Sequence, residues 1–132
     1  MNNSSKLVII TTLITLSIGL TAASPADLTL FPEESSARIG GSTAYEVTLE
    51  NTGPVMDTYT LSSSSAQEIT IAPQKVDVEP GQKKVVNVWY NPQPQKEAGR
   101  YSFDVEATSR ANGNTYSVGG FVTVIRAPDI SM

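Results

Sequence analysis

The 132-residue chain contains no cysteine and no histidine. Without cysteine there is no disulfide framework, no thiolate nucleophile and no cysteine-based zinc site. Without histidine, the commonest general base and the commonest metal ligand are both missing. Positive charge is scarce: nine Lys and Arg stand against thirteen Asp and Glu, for a formal net charge of −4. A chain of that sign with no basic run cannot neutralise a row of phosphates, so nucleic acid is not an expected partner. Beyond residue 23 no apolar period of 3.6 persists over ten residues, and no second long hydrophobic run occurs. Amphipathic helices are therefore not expected. These absences leave no catalytic residues, no cofactor and no metal site to be expected.

The one long apolar run lies at the N-terminus. Lys6 precedes the uncharged stretch Leu7 to Leu20, and Thr21-Ala-Ala-Ser-Pro-Ala26 follows with the small residues a signal peptidase accepts. That order is a secretory signal peptide, with cleavage expected after Ala23 or Ala26. The alternative is an uncleaved anchor, because the 17 residues from Leu7 to Ala23 sit at the lower limit for crossing a bilayer. Either reading exports the remainder to the cell envelope or the extracellular space. Export without cysteine points to a prokaryotic setting. The glycosylation sequons at Asn2 and Asn3 fall inside this segment and carry no weight. The expected division is 1–23 leader or anchor, 24–126 a single domain and 127–132 a short tail.

After the leader, alternation takes over. Thr43–Glu50 places Tyr45, Val47 and Leu49 on one parity and Glu46, Thr48 and Glu50 on the other. Asp27–Phe31, Asp57–Ser62, Glu68–Ala72 and Val76–Val78 are shorter runs of the same kind. Val86, Val88 and Tyr90 share one face, and Tyr101, Phe103, Val105 and Ala107 share another, since side chains alternate with a period of two. Asn51-Thr-Gly-Pro54, Pro80-Gly81 and Asn112-Gly113 mark turns, the last able to form a type I′ hairpin. Ser62–Ser65 reads as a flexible connection. In Tyr116–Ile125 the apolar residues occupy both parities, and Gly119-Gly120 reads as a bulge that switches them. The expected fold is all-β: an immunoglobulin-like antiparallel sandwich of about seven strands.

The phrases Leu49-Glu-Asn-Thr-Gly-Pro-Val-Met-Asp-Thr-Tyr-Thr-Leu61, Val78-Glu-Pro-Gly81 and Ala98-Gly-Arg-Tyr-Ser-Phe-Asp-Val-Glu-Ala-Thr-Ser109 carry a resemblance. They resemble the immunoglobulin-like, fibronectin-type-III-like modules related to cell adhesion in archaeal and bacterial surface and exported proteins. The likeness spans about residues 43 to 109 and consists of framework words. It implies a sandwich fold and a place on the cell surface, and it says little about a ligand. Such modules usually occur as repeats in long chains, whereas here one stands alone.

Among candidate contact residues, Trp89 comes first. With Val86, Val88 and Tyr90 inward, Trp89 and Val85 belong to the outer face, where an aromatic ring can stack on a sugar or seed a protein contact. The bland alternative is a Trp89 covered by a loop or turned into the core. Asp57, Glu46, Glu50 and the Glu33-Glu34 pair are carboxylates for a calcium site between loops, but their spacing matches no calcium loop. Solvated outer-face charge is the expected state for them, and for Asp104 and Glu106. The Ser62–Ser65 run has no base to activate it.

Three functions remain. The first is a non-enzymatic cell-surface module for protein interaction, adhesion or envelope structure. The second is a filament subunit that self-associates by adding its N-terminal strand to a neighbour's sheet. The third is a carbohydrate-binding accessory domain using Trp89. The partner is accordingly a protein or glycan of the envelope, with membrane contact only through an uncleaved N-terminal segment.

Overall fold

β-Branched and aromatic residues at every second position give each strand one face that must leave water. The computed structural model describes residues 26–126, so the leader and the tail lie outside the described residues. Nine strands occur among them: β1 (Ala26–Phe31), β2 (Glu34–Arg38), β3 (Thr43–Asn51), β4 (Asp57–Ser62), β5 (Ile69–Ala72), β6 (Lys75–Val78), β7 (Lys83–Tyr90), β8 (Gly99–Ser109) and β9 (Thr115–Ile125). They form a four-stranded sheet in the order β1-β3-β7-β5 and a five-stranded sheet in the order β2-β9-β8-β4-β6. This is an immunoglobulin-like β-sandwich. No helix among the described residues is long and apolar enough to cross a membrane.

The alternating positions meet between the sheets. Tyr45, Val47 and Leu49 of β3 and Val86, Val88 and Tyr90 of β7 are buried against Tyr59 and Leu61 of β4, Phe103, Val105 and Ala107 of β8, and Val122 and Val124 of β9. Each of the Val, Leu and Phe side chains among them contributes roughly 1.5–3 kcal/mol by leaving water. The Phe103 ring stands edge-on to Tyr45 at 4.9 Å and tilted to Tyr90 at 5.8 Å. The Tyr45 hydroxyl donates to the Phe121 carbonyl at 2.6 Å, joining the two sheets.

Pro32 has no N–H to offer a ladder, and the chain changes sheets there. β1 runs antiparallel to β3, whereas β2 runs parallel to β9 from Phe121↔Glu34 to Ile125↔Arg38. β2 is the strand that alternation does not announce, since its residues are Glu-Ser-Ser-Ala-Arg and only Ala37 is buried.

Gly119-Gly120 is not a bulge. The β8–β9 register runs without a break from Thr115↔Thr108 to Val124↔Gly99. Parity is therefore constant: Val122 and Val124 point inward, while Phe121 and Ile125 point outward. Gly120 keeps the inward position because a Cβ there would lie 2.7 Å from Leu30 Cδ2 and 3.0 Å from Phe103 Cζ. Likewise, the β8–β9 connection spans residues 110–114, with Gly113 at φ 75°. It is longer than a two-residue type I′ loop.

The sandwich has two poles. One carries the start of β1 and the turns at 52–56, 79–82 and 110–114; the other carries the end of β9 and the connections at 39–42, 63–68 and 91–98.

Candidate interaction site

The outer face of the four-stranded sheet gathers the contact residues expected from the sequence. Strand register lays out three rows: Phe31, Glu46, Asn87, Ala72; then Ala44, Trp89, Thr70; and Thr29, Thr48, Val85. Val85 is 51% exposed and Trp89 half-buried. Phe31 is 75% exposed. With Leu30 inward in the same strand, parity forces the Phe31 ring outward, a signal present in the sequence but not used. Phe31, Pro32, Ala44, Tyr45, Glu46 and Asn87 line a shallow depression of about 280 Å³. Chemically, this depression offers aromatic and aliphatic surface around one carboxylate, Glu46, and one amide, Asn87.

A second, polar groove of about 450 Å³ lies at the pole of the 63–68 and 91–98 connections. It is lined by Ser64, Ser65, Ala66, Gln67, Glu68, Gln93, Gln95 and Lys96. Its centre is Glu68. Glu68 Oε1 accepts from the Tyr90 hydroxyl at 2.7 Å and pairs with Lys96 Nζ at 3.0 Å, while Oε2 accepts from the Gln93 N–H at 3.1 Å. Lys96 also stands over the Tyr101 ring, 4.2 Å from its centroid. Burial pushes the Glu68 acid upward, but the hydrogen bonds from Tyr90, Lys96 and Gln93 outweigh it and hold the carboxyl below its ordinary range. Lys96 moves up on balance, its burial being outweighed by Glu68 and Tyr90. Tyr90 is pushed up to about 12, first by burial and then by its bond to Glu68.

The consequence for pH follows from the signs. A lowered carboxyl contributes stability that is present above its unfolded pKa and lost as pH falls through the folded one; a raised Lys or Tyr contributes stability lost as pH rises above the unfolded value. Stability should therefore hold from about pH 5 to 10 and fall on both sides, given unfolded pKa values of about 4.3 for Glu and about 10 for Tyr and Lys. In Glu68→Gln the acid limb should flatten. Urea midpoints between pH 3 and 7 measure this, and an unchanged acid limb in the variant would refute the assignment.

The carboxylates weighed for a calcium site do not converge. No group of three or more metal-ligating side chains occurs among the described residues. Glu46 lies on the outer sheet face, Glu33 is exposed, and Glu34 pairs with Arg100 at 3.1 Å. Asp57 is a correction: it is not solvated surface charge but buried. Its Oδ1 accepts from the N–H groups of Thr58 at 2.7 Å and Ala111 at 3.0 Å, and its Oδ2 accepts from the Ser109 hydroxyl. Ser109 Oγ in turn accepts from the Asn112 N–H at 3.2 Å. This buried acid–serine pair closes the 110–114 turn. Asn51 does the same for its neighbour, its amide donating to the carbonyls of Val55 and Val78 at 2.8 Å each, and its oxygen accepting from the Gly53 N–H.

The Ser62–Ser65 connection is likewise pinned rather than loose. Asp104 Oδ1 accepts from the Ser64 N–H at 3.0 Å and the Ser64 hydroxyl at 2.8 Å. Asp104 is thus part of a structural knot, and those bonds outweigh its burial to keep its carboxyl below the usual range.

No protein-family model matches the chain, and no curated protein matches it in sequence. Solved structures do match in fold. A FixG-related protein from Vibrio parahaemolyticus superposes with a TM-score of 0.62 at 15% identity, covering 77% of this chain and 98% of that one. A family 123 glycoside hydrolase from Clostridium perfringens gives 0.62 at 11% identity over 77% of this chain but only 28% of the hydrolase. The PapD-like domain 7 of human CEP192 gives 0.52 at 16% identity, covering 80% and 91%. At these identities the likeness is one of fold, and the fold it establishes is the immunoglobulin-like sandwich.

Proposed function

We propose that this chain is an exported, non-enzymatic immunoglobulin-like module of the cell envelope that binds a protein, in adhesion or envelope structure, through the outer face of its four-stranded sheet. The observation that carries this reading is Phe31. A large ring left mostly in water forgoes roughly 1.5–3 kcal/mol of burial, and a partner surface recovers it. Val85 and Trp89 lie on the same face, and β1, which bears Phe31, is an edge strand. The likeness to a PapD-like domain, of which this chain covers 91%, supports a protein-interaction module.

The test is cross-linking of the envelope-resident protein in an exporting host, followed by comparison with Phe31→Ser and Phe31→Ser/Trp89→Ala. Phe31 is 75% exposed, so Phe31→Ser should change stability by only about 0.5 kcal/mol. Trp89 is half-buried, so thermal melts establish that the double variant is folded. The proposal expects one cross-linked protein to drop at least tenfold in the double variant. An adduct pattern identical in all three proteins defeats it.

A second reading is favoured by Glu46 and Asn87, which stand between Phe31 and Trp89 in the register: an aromatic face with interleaved hydrogen-bonding groups suits a sugar ring. A glycan array with Trp89→Ala as control separates the two. Donation of the N-terminal strand to a neighbour is disfavoured by β1 itself. It pairs in cis with β3 from Ala26↔Asn51 to Phe31↔Glu46, and removing it would uncover Leu30.

A further inference from the structure

We infer that the pole of the sandwich carrying Pro54, Val55 and Met56 rests on the lipid surface entered by the apolar segment Leu7 to Ala23. This rests on the exported reading proposed above and on the uncleaved-anchor alternative for that segment. Val55 is 60% and Met56 47% exposed, side by side at the tip of the β3–β4 turn, with Pro54 also exposed. Their exposure is not slack in the chain. The turn is held on one side by Asn51, which grips the Val55 carbonyl and the Gly53 N–H, and on the other by buried Asp57. Two apolar side chains are thus presented to the outside by a turn that cannot fold them back.

The position of β1 says what they meet. Ala26 pairs with Asn51, so the chain enters the sandwich at this pole, beside Val55. Only Ser24 and Pro25 separate Ala23 from Ala26. At 3.3–3.6 Å per residue, three extended links span about 10 Å, so an anchored domain is held with this pole close against the bilayer. Exposed Lys83 and Lys84 at the start of β7 and Arg110 in the 110–114 turn also stand at this pole, with Glu79 in the 79–82 turn and with Asp27 and Glu50 in the same row of the sheet as Lys83. Long basic side chains lay their stems along apolar surface and place their charges among headgroups, which suits the rim of a tip that dips Val55 and Met56 into the interface.

The absence of cysteine makes the test clean. The full chain, leader included, is purified in detergent and reconstituted into vesicles of phosphatidylglycerol and phosphatidylcholine. Single cysteines (Val55→Cys, Met56→Cys and, at the opposite pole, Gln95→Cys) carry an environment-sensitive fluorophore. The expected result is blue-shifted emission at 55 and 56, with accessibility to an aqueous quencher at least fivefold lower than at 95. Comparison with position 95 cancels the effect of domains facing the vesicle lumen, and two tip positions guard against one substitution disturbing the turn. Equal accessibility at all three positions overturns the inference. So does shielding of 55 and 56 that rises with protein concentration in detergent, which would make the occupant a second copy of the chain. Intact mass of the chain from an exporting host tests the underlying reading separately: retention of residues 1–23 supports it, and a cleaved product overturns it without altering what the vesicle experiment reports about the tip.

Discussion

Asp57→Ala is expected to lower the unfolding free energy by about 3 kcal/mol, since it removes the acceptor shared by two backbone N–H groups and one buried hydroxyl. For a domain of this size, that corresponds to a melting temperature lower by roughly 12–24 °C. The cause is geometric: Thr58, Ala111 and Ser109 all donate to this one carboxylate in a buried site. Asp57→Asn separates hydrogen bonding from charge. Its carbonyl can still accept from both N–H groups at the Oδ1 position, and its amide can donate to Ser109 once the hydroxyl turns to accept. A loss within about 1 kcal/mol is therefore expected for Asn. A melting temperature for Asp57→Ala within 3 °C of the parent would show that the cluster does not hold the turn.

Gly120→Val is expected to cost about 2–4 kcal/mol by overpacking. Even the first added carbon meets Leu30 Cδ2 at 2.7 Å and the Phe103 ring at 3.0 and 3.3 Å. Leu30 can swing away, but Phe103 is held between Tyr45 and Tyr90, so the strain spreads into the aromatic cluster joining the sheets. Gly119→Val is the paired control. Its Cβ points outward and meets only the Phe103 carbonyl at 3.4 Å, so stability should stay within about 0.5 kcal/mol of the parent. Equal losses at the two positions would contradict the unbroken β8–β9 register. Denaturant midpoints of the two variants are sufficient to decide.

The two glycines also show where sequence reading stops. Parity locates Tyr45, Val47, Leu49, Val86, Val88 and Tyr90 in the core, and Val85 and Trp89 on the opposite face, because alternation is a property of neighbouring residues. Whether Gly120 interrupts a strand or makes room for Phe103 depends on a ring 17 positions away, opposite it in the register. Asp57 and Ser109 are 52 residues apart, and Glu68 takes its partners from Tyr90 to Lys96. A polar side chain whose partners come from distant strands looks, in the sequence, like any solvated charge. β2 escapes for a related reason: its place beside β9 is set by the sheet change at Pro32, not by its own Glu-Ser-Ser-Ala-Arg composition. Phe31 was legible from parity alone, and its significance emerges only when Val85 and Trp89 fall on the same face.

The sheet change at Pro32 has a mechanical meaning. β1 enters at one pole and β9 leaves at the other, so a pull between the ends of the domain drives β2 and β9, parallel neighbours, lengthwise past each other. Their ladder bonds are then loaded together in shear instead of opening one at a time. The same pull loads the β1–β3 ladder along its length. Resistance to forced unfolding is a matter of rate, and a geometry that requires several bonds to fail at once slows it. A module tethered at its N-terminal pole and gripped at its far pole would hold tension as a strap does, along the grain.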